Sequence, residues 1–399
     1  MTARKFIGQV HLWLGLASGL IVVIVSLTGC LYVFEKEIRE WTEPYQFVEA
    51  RQAPLLPPSR LRQVAEPHFN GKAAKAVMYR KAGLSATVSY FDKESYLLAF
   101  VDPYTGKLLK VKDMNRDFFR VVLQGHYYLW LPPEIGHPVV ASATLVFVIL
   151  LISGLVLWWP KNLNKTNREK SFFVKWKASF KRVNYDLHNV LGFYVLFIAL
   201  IIAFTGLVWG FEWFAKSAYW VTSGGKSMPV VKPALSDTTL TAGTQPADQL
   251  WRRLTGGAQL QEGYISLSVP VKPKDVIRVD QNPEWGTYYK RQIRAYDQSS
   301  LADITPSSSF SETFEKAETA DKIKRMNYDI HVGAILGLPG KILAFFASLI
   351  CATLPVTGFY IWWGRRKKKK PATGAHRAHR PGQARPGSRP LRRPVLKDA

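Results

Sequence analysis

The sequence is poor in acidic residues and has almost no cysteine. Asp and Glu number 29 against 54 Lys and Arg, so the 399-residue chain carries a formal net charge of +25, and only two cysteines are present. Both, Cys30 and Cys351, fall inside apolar segments, which predicts buried thiols and argues against a disulfide framework. The chain also lacks a His-Glu-x-x-His zinc motif and a nucleophile elbow, so hydrolysis has little support.

Charged residues of either sign are missing from four long apolar runs, at residues 12–34, 139–159, 190–211 and 342–363. Each run is long enough to cross a bilayer core as a helix. Metal transport is disfavoured, because an ion pathway usually needs an acidic residue within such segments. The first run could also be a cleaved signal, since residues 27–30 resemble a lipoprotein box, but it continues past Cys30, which favours a retained helix. The sequence therefore predicts an α-helical integral membrane protein with four transmembrane helices.

The basic residues flank these runs. The N-terminal tail contributes +2, the link at 160–187 contributes +6 and the tail from residue 365 contributes +12. By the positive-inside rule, both termini and the link are cytoplasmic, and the long connections at 35–138 and 212–339 are periplasmic. This predicts a multi-pass protein of the bacterial inner membrane, with the lipid bilayer as a partner. Nucleic-acid binding is disfavoured, because the positive charge follows the membrane segments.

Each long connection has the pattern of a small α/β module. A helix is expected at 59–68, with strands at 76–79, 86–91, 96–101 and 107–111. The second connection repeats this order, with a helix at 247–254, strands at 264–269, 276–280 and 288–296, and a helix at 312–328. We therefore divide the chain into eight segments. The first half has the N-terminus and first transmembrane helix at 1–35, a periplasmic module with its connecting helix at 36–131, and a second transmembrane helix at 132–160, followed by a cytoplasmic basic link at 161–187. The second half has a third transmembrane helix at 188–212, a second periplasmic module with its connecting helix at 213–338, a fourth transmembrane helix at 339–364 and a disordered basic cytoplasmic tail at 365–399.

The two halves of the chain repeat each other. His11 and His188 are each followed, after 4, 17, 18 and 24 residues, by Gly, Thr, Gly and Glu. Ser153-Gly154 and Thr357-Gly358 are each followed by a pair of tryptophans, and His126 and His331 precede these glycines by 28 and 27 residues. The sequence therefore predicts a two-fold internal repeat of helix, α/β module and helix.

The repeat places histidines in two pairs at matched depth. His11 and His188 begin the first and third spanning helices, whereas His126 and His331 precede the second and fourth. Two imidazoles on facing helices can occupy both axial positions of a haem iron. A single histidine at a helix end is more often an interfacial residue, but four at repeated positions favour ligands. His137 has no counterpart in the second half and could be an interfacial residue, a substrate contact or a competitor of His126.

Several nearby residues have both a structural and a site interpretation. Asp186 and Asp329 end the repeated triplet Asn-Tyr-Asp before His188 and His331, so they could be helix N-caps or could orient an imidazole or a haem propionate. Arg325, Lys324 and Arg182 could pair with propionates, although solvated loop charges are the default expectation. Tyr127, Tyr128 and Trp130 are candidate substrate contacts, because they lie beside His126.

These motifs together resemble a known family. Asp102-Pro103-Tyr104-Thr105-Gly106, which closes the first α/β module, is similar to the PepSY domain signature. Asp186-Leu187-His188 with Gly192 and Thr205-Gly206, together with Ser153-Gly154 and Trp158-Trp159, resembles the PepSY-associated transmembrane family over residues 5–366. That family includes iron-regulated inner-membrane proteins and ferric-siderophore reductases with two b-type haems. The fold expected is thus four transmembrane helices with two small periplasmic α/β PepSY-like domains.

The resemblance implies a haem b dependent oxidoreductase, a ferric-siderophore reductase. It implies two bis-histidine haems b, held by His11, His188, His126 and His331, and a separate cytoplasmic or quinol electron donor in place of the flavin reductase domain fused to some relatives. The context of His126 lacks the basic residue that often follows it in the family, and His137 is additional, so either could hold the haem on the periplasmic side. The alternative is a non-enzymatic PepSY membrane protein that regulates peptidases or senses envelope conditions.

Overall fold

The computed structural model describes residues 2–160, 162, 164–240, 243, 245–258 and 260–366. Beyond Arg366, the predicted basic tail lies outside the described residues. The helices are α1 Ala3–Tyr32, α2 Glu35–Thr42, α3 Pro58–Ala65, α4 Phe118–Tyr128, α5 Pro133–Trp158, α6 Lys165–Phe172, α7 Phe180–Asp186, α8 Gly192–Gly210, α9 Glu212–Thr222, α10 Pro246–Thr255, α11 Thr319–His331 and α12 Gly337–Arg366. The strands are β1 Ala76–Arg80, β2 Ala86–Phe91, β3 Tyr96–Val101, β4 Leu108–Asp113, β5 Tyr264–Ser268, β6 Ile277–Asn282 and β7 Gln292–Tyr296.

Four helical segments are long and apolar enough to cross a membrane. They cover Ala3–Tyr32, Pro133–Trp158, Phe180–Gly210 and Ala334–Arg366. The prediction of a multi-pass α-helical membrane protein is therefore confirmed. The helices pack in a ring in which α1 contacts α5 and α12, and α8 contacts the same two helices. Apolar side chains on all sides of each helix suit this position between neighbouring helices and lipid.

The strands of both connections form one antiparallel sheet. Its order is β4-β3-β2-β1-β5-β6-β7, so the first strand of each connection pairs with the other, with Val77 opposite Leu267. The two modules are thus joined rather than separate, because the edges of β1 and β5 satisfy each other's main-chain groups. Helices α3 and α10 cover one face and bury Leu61 and Trp251 against the strands.

Two predicted elements begin later than expected. The strand expected at 288–296 is only Gln292–Tyr296, and the helix expected at 312–328 begins at Thr319. The N–H groups of Tyr288 and Tyr289 donate to the buried carboxylate of Asp329 instead of to a neighbouring strand. A contact made by the tertiary fold therefore overrides the local strand pattern.

Helix α2 joins the sheet to the membrane helices through a charged cluster. Asp117, at the N-terminus of α4, accepts hydrogen bonds from the Arg39 guanidinium at 2.9 Å and the Lys112 ammonium at 2.7 Å. Burial alone would raise the pKa of the Asp117 carboxyl, but these two cations outweigh it and hold that pKa well below its ordinary value. On the other side of α2, Glu37 accepts from Lys341 of α12 at 2.6 Å. One short helix thus contacts both halves of the chain.

The substitution Asp117→Asn should lower the free energy of unfolding by about 2 kcal/mol at pH 7, because the partly buried Arg39 and Lys112 lose one shared carboxylate and keep only Glu35 and Glu43. Thermal unfolding in detergent measures the effect. Since the pKa of Asp117 is depressed on folding, its contribution is complete above pH ~4 and is lost as the pH falls below that value. Asp113→Asn is the control, because the Asp113–Arg116 pair is exposed and 3.7 Å long. Equal effects of the two substitutions would contradict this account of the cluster.

Candidate functional site

The four repeated histidines form two pairs inside the ring of helices. The ring centroids of His11 and His188 are 6.4 Å apart, and this pair lies at the end of the bundle where both ends of the described chain are found. Those of His126 and His331 are 6.2 Å apart, near the sheet. We call these the termini-side pair and the sheet-side pair. The tertiary structure thus brings together the histidines that the repeat predicted as partners.

The spacing within each pair suits one metal ion. Two imidazoles that bind a metal from opposite sides, each through a bond of about 2 Å, have ring centres roughly 6.3 Å apart. Both observed distances are close to this value. Among the described residues, no cluster of three or more His, Cys, Asp or Glu could hold a metal ion. Two protein ligands suit a metal whose remaining ligands come from a cofactor.

Hydrogen bonds determine which nitrogen of each imidazole carries the proton. The Nδ1 atoms of His126, His188 and His331 lie 2.9–3.1 Å from main-chain carbonyl oxygens of α1, α12 and α8. A carbonyl only accepts, so Nδ1 carries the proton and Nε2 keeps its lone pair for a metal. The Nδ1 of His11 lies 2.9 Å from the hydroxyl of Ser153, whose own proton goes to the Leu150 carbonyl, which gives the same tautomer.

Each repeated Ser-Gly or Thr-Gly pair supports one of these rings. The hydroxyls of Thr28, Thr205 and Thr357 lie 2.9–3.2 Å from the Nδ1 atoms of their histidines. The following glycines face the ring carbon Cε1, and a Cβ on any of them would lie 3.2–3.5 Å from it. These glycines are Gly29 at His126, Gly154 at His11, Gly206 at His331 and Gly358 at His188. The small residues therefore hold an imidazole from a different helix at a set depth.

In the second half of the chain, two asparagines bond to the threonines that support the histidine rings. Asn184 and Asn327 each precede a histidine by four residues. Their side-chain amides donate to the main-chain carbonyls of Thr357 and Thr205, at 3.0 and 3.1 Å. A π-helical turn at Leu187–Leu191 contains His188. Such turns are frequent at functional sites, because they turn a side chain away from the regular helical face.

A cavity surrounds each pair. The termini-side cavity has an empty volume of about 2070 Å³ and the sheet-side cavity about 1340 Å³, openings included. Gly15 and Gly192, each four residues after a histidine, line the termini-side cavity. A gap between the helices therefore opens beside both pairs of rings.

The two cavities differ in charge. Lys5 and Arg365 line the termini-side cavity, and they are the only Lys, Arg, Asp or Glu residues among its described lining. In the described lining of the sheet-side cavity, no such residue occurs. Tyrosines Tyr32, Tyr127 and Tyr328 provide its polar groups together with histidines and hydroxyls. An anionic ligand group would therefore find cations only at the termini side.

The predicted propionate partners have other roles. Arg325 is fully buried, and its guanidinium donates to the carbonyls of Tyr289, Glu312 and Arg291. Lys324 donates to the hydroxyl of Ser309 at 3.1 Å. These contacts fix α11 to the second half of the sheet. In this structure protein oxygens use the Arg325 donors, and Arg325 and Lys324 are absent from the described lining of both cavities.

The two repeated aspartates do not touch the imidazoles either. Asp186 accepts from Arg182 Nε at 3.0 Å and from the Lys175 N–H at 3.2 Å, which also gives Arg182 a protein partner. Asp329 accepts from the N–H groups that precede β7, and burial raises its pKa to about 6. Neither side chain caps a helix, since Asp329 lies within α11 and Asp186 makes no capping hydrogen bond to the π-helical turn that follows it. Both are buried anchors of the main chain.

Of the three candidate substrate contacts beside His126, Tyr127 lines the sheet-side cavity. Tyr128 and Trp130 are absent from its described lining. Trp130 covers Gly125 and donates from its indole to the Val121 carbonyl at 2.8 Å, so it holds the turn between α4 and α5. His137 lines the cavity, and its Nε2 lies 3.2 Å from the Trp209 carbonyl. In this arrangement His126, and not His137, faces His331.

Sequence reasoning missed three aromatic residues at the sheet-side cavity. Tyr32 and Tyr328 line it, and the Trp209 ring packs edge-on against His331 at 5.2 Å. Tyr328 belongs to the repeated Asn-Tyr-Asp triplet, which was a usable signal. Trp209 and Tyr32 had none, because an aromatic residue near a membrane interface is ordinary.

Arg325→Met should lower the free energy of unfolding by roughly 3–5 kcal/mol, because three buried carbonyls lose their donor. Thermal unfolding in detergent, compared with Arg278→Met at an exposed position of β6, measures this loss. A variant of normal stability that fails only in cofactor binding would restore the original prediction for Arg325.

Comparison with known proteins agrees with the resemblance read from the motifs. The family model described as the PepSY-associated TM region matches residues 9–365, a range that contains all four paired histidines. No curated protein matches the chain. Because the match covers most of its length, the chain belongs to the PepSY-associated TM region family.

Proposed function

We propose that this protein is a di-haem electron-transfer protein of the bacterial inner membrane that reduces a ferric chelate, such as a ferric siderophore, on the periplasmic side. The observation that carries the proposal is the presence of two half-buried imidazole pairs inside the ring of helices, each 6.2–6.4 Å between ring centres, at two depths of one membrane bundle. One pair near each membrane face is the arrangement that electron transfer across the bilayer requires.

The histidine pairs fit the iron of haem b at both sites, whereas cations for its carboxylates are found, among the described residues, in the lining of the termini-side cavity alone. Each pair offers two Nε2 lone pairs at the spacing of one metal ion, and the cavity around it is lined mostly by apolar residues. Burial lowers the pKa of His126 and, to about 3, that of His331, so both are neutral as ligands must be. A bis-histidine haem supplies one-electron transfer and leaves no coordination position open for oxygen chemistry.

Lys5 and Arg365 are the residues that would hold the carboxylates of the termini-side haem. A carboxylate buried in an apolar cavity is costly unless it is paired with a cation. These two residues lie on the first turn of α1 and the last turn of α12 and line the same cavity. Their cations would therefore orient the haem with its propionates toward the membrane surface.

The ferric chelate would be reduced near the sheet-side pair. Hard oxygen ligands such as hydroxamate or catecholate favour Fe(III), so the gain of one electron by the iron weakens their hold and releases Fe(II). Tyr127, Tyr328 and Tyr32 line the sheet-side cavity and are the side chains that we expect nearest the chelate. Tyr128 and Trp130 are less suited, because they serve the turn after α4.

The charge distribution supports the orientation. The described part of the basic link lies on the termini side together with Arg4, Lys5, Arg365 and Arg366, and the positive-inside rule assigns this side to the cytoplasm. The sheet would then be periplasmic. We expect the electron donor to be a separate cytoplasmic protein or a quinol that reaches the termini-side pair.

The repeated contacts also support an internal duplication. In each half a histidine of the first spanning helix meets a Ser-Gly or Thr-Gly pair of the second, and a histidine of the connecting helix meets a Thr-Gly pair of the first. The sheet has two strands on each side of the β1–β5 pair, β2 and β3 on one side and β6 and β7 on the other, and β4 is an additional strand at one edge. We infer that two copies of one unit face each other about an axis along the membrane normal.

The protein purified in detergent from haem-supplied cells should show a low-spin haem spectrum with two haems per chain, and addition of a ferric siderophore should reoxidise them. His11→Ala or His188→Ala should remove one haem, and His126→Ala or His331→Ala should remove the other, because each substitution takes one axial ligand. Haem per chain is measured as the pyridine haemochrome. His137→Ala and the exposed His68→Ala should keep both haems.

A colourless protein would contradict the proposal and leave the non-enzymatic interpretation of envelope sensing or peptidase regulation. Loss of a haem in His137→Ala but not in His126→Ala would contradict the assignment of the sheet-side ligand. Two haems without reoxidation by any ferric chelate would contradict the substrate class alone.

Lys5→Gln and Arg365→Gln should weaken haem retention at the termini-side site several-fold, because the propionates lose their cations, and the double substitution should weaken it further. The haem left after gel filtration and the midpoint potential of each haem are measured. Arg4→Gln and Arg366→Gln are matched controls, since Arg4 donates to the Leu157 carbonyl and Arg366 lies over the Trp362 ring. Equal losses in all four variants would mean that only the general positive charge matters.

A further inference from the structure

The two cavities meet at two side chains. Among the described residues, only Val22 of α1 and Phe147 of α5 line both of them. On α5 the lining of the sheet-side cavity runs from His137 to Phe147, and that of the termini-side cavity runs from Phe147 to Trp158. Phe147 is therefore the aromatic ring in the wall between the two histidine pairs.

The position of Phe147 along α5 agrees with this. Thr144 lies beside Gly206, which supports the ring of His331, and Ser153 bonds to the ring of His11. Phe147 lies three residues after the first and six before the second, which is about 4.5 Å and about 9 Å along the helix axis. The ring thus lies between the depths of the two sites.

Packing holds this ring in place. Phe147 packs against the apolar cluster of Leu151, Val195 and Ala199 and also against the cluster of Val148, Ala203 and Leu207. At the equivalent position of the other half, six residues before Thr357, the chain has Cys351. The wall therefore has an aromatic ring from one half only, and Val22 is the other side chain common to both cavities.

We infer that Phe147 is the side chain through which the two histidine-paired sites exchange electrons. The inference rests on the proposed function. In each exchange the termini-side site is oxidised by one electron and the sheet-side site is reduced by one, and no bond or proton moves. The first electron comes from a one-electron donor on the termini side, and the last acceptor is the ferric chelate.

The physical reason is the contrast between the ring and its surroundings. Electronic coupling falls with every gap and every saturated group between two sites, and a polarisable π system spans several ångströms without either. Phe147 also keeps the wall between the two cavities apolar, and an apolar wall keeps the charges of the sites from being screened. A saturated side chain of similar size would keep the wall apolar but would lack the π system.

Phe147→Leu tests the inference in the full-length protein in detergent. One electron is delivered by flash excitation of a ruthenium photosensitiser, and its redistribution between the two haems is followed by absorbance. We expect redistribution to slow several-fold in Phe147→Leu, with haem content and both midpoint potentials unchanged, and to recover in Phe147→Trp. Phe197→Leu is the matched control, since Phe197 lies at similar depth on α8 but is 65% exposed toward lipid.

If the electron redistributes between the haems as fast in Phe147→Leu as in Phe197→Leu, the inference is overturned and the proposed function is left intact. If Phe147→Leu loses a haem, Phe147→Met provides a more adaptable apolar side chain. Loss of a haem in both aliphatic variants would also overturn it, because Phe147 would then only shape a cavity. Wild-type protein without two haems would remove both the proposed function and this inference.

Discussion

The arrangement depends on the hydrogen bond from each paired histidine to a neighbouring helix. Because a main-chain carbonyl can only accept, this bond places the proton on Nδ1 and leaves the lone pair of Nε2 free. It also joins elements, since it ties α1 to α5, α4 to α1, the segment before α8 to α12, and α11 to α8. The contacts that orient the rings are therefore also contacts that close the bundle. A shift of one helix would turn an imidazole of another.

The hydrocarbon environment explains why these bonds use small residues and main-chain groups. A charged residue to orient each imidazole would be costly within the bundle, whereas the carbonyl three residues before a Ser or Thr is already present in the helix. The neighbouring glycine lets the ring approach the helix surface. Charged side chains are kept to the ends, where Lys5 and Arg365 reach one cavity. The sheet-side cavity has tyrosines in their place, which gives the two ends of the bundle different chemistry.

The shared sheet positions the second pair of histidines. His126 and His331 lie on helices that connect the sheet to the bundle and not on the long helices themselves. Asp117 fixes the beginning of α4 through Arg39 and Lys112, and Arg325 fixes α11 through main-chain carbonyls. Arg325, which sequence reasoning linked to a cofactor, thus contacts protein oxygens on the helix that carries His331. The pairing of β1 with β5 brings both helices to the same end of one bundle.

The sequence by itself determined the four spanning helices, the strands and the histidine partners. These follow from local composition and from repeated spacing, since apolar length specifies a membrane helix and equal offsets place residues at equal depth. Only the tertiary structure decided what the repeated Thr-Gly and Ser-Gly pairs contact, that Arg325 bonds to main-chain oxygens, and that the two modules share a sheet. Spacing along one chain specifies depth but not direction. The direction in which a side chain points depends on which helix or strand packs against it, and residues far apart in the sequence decide that.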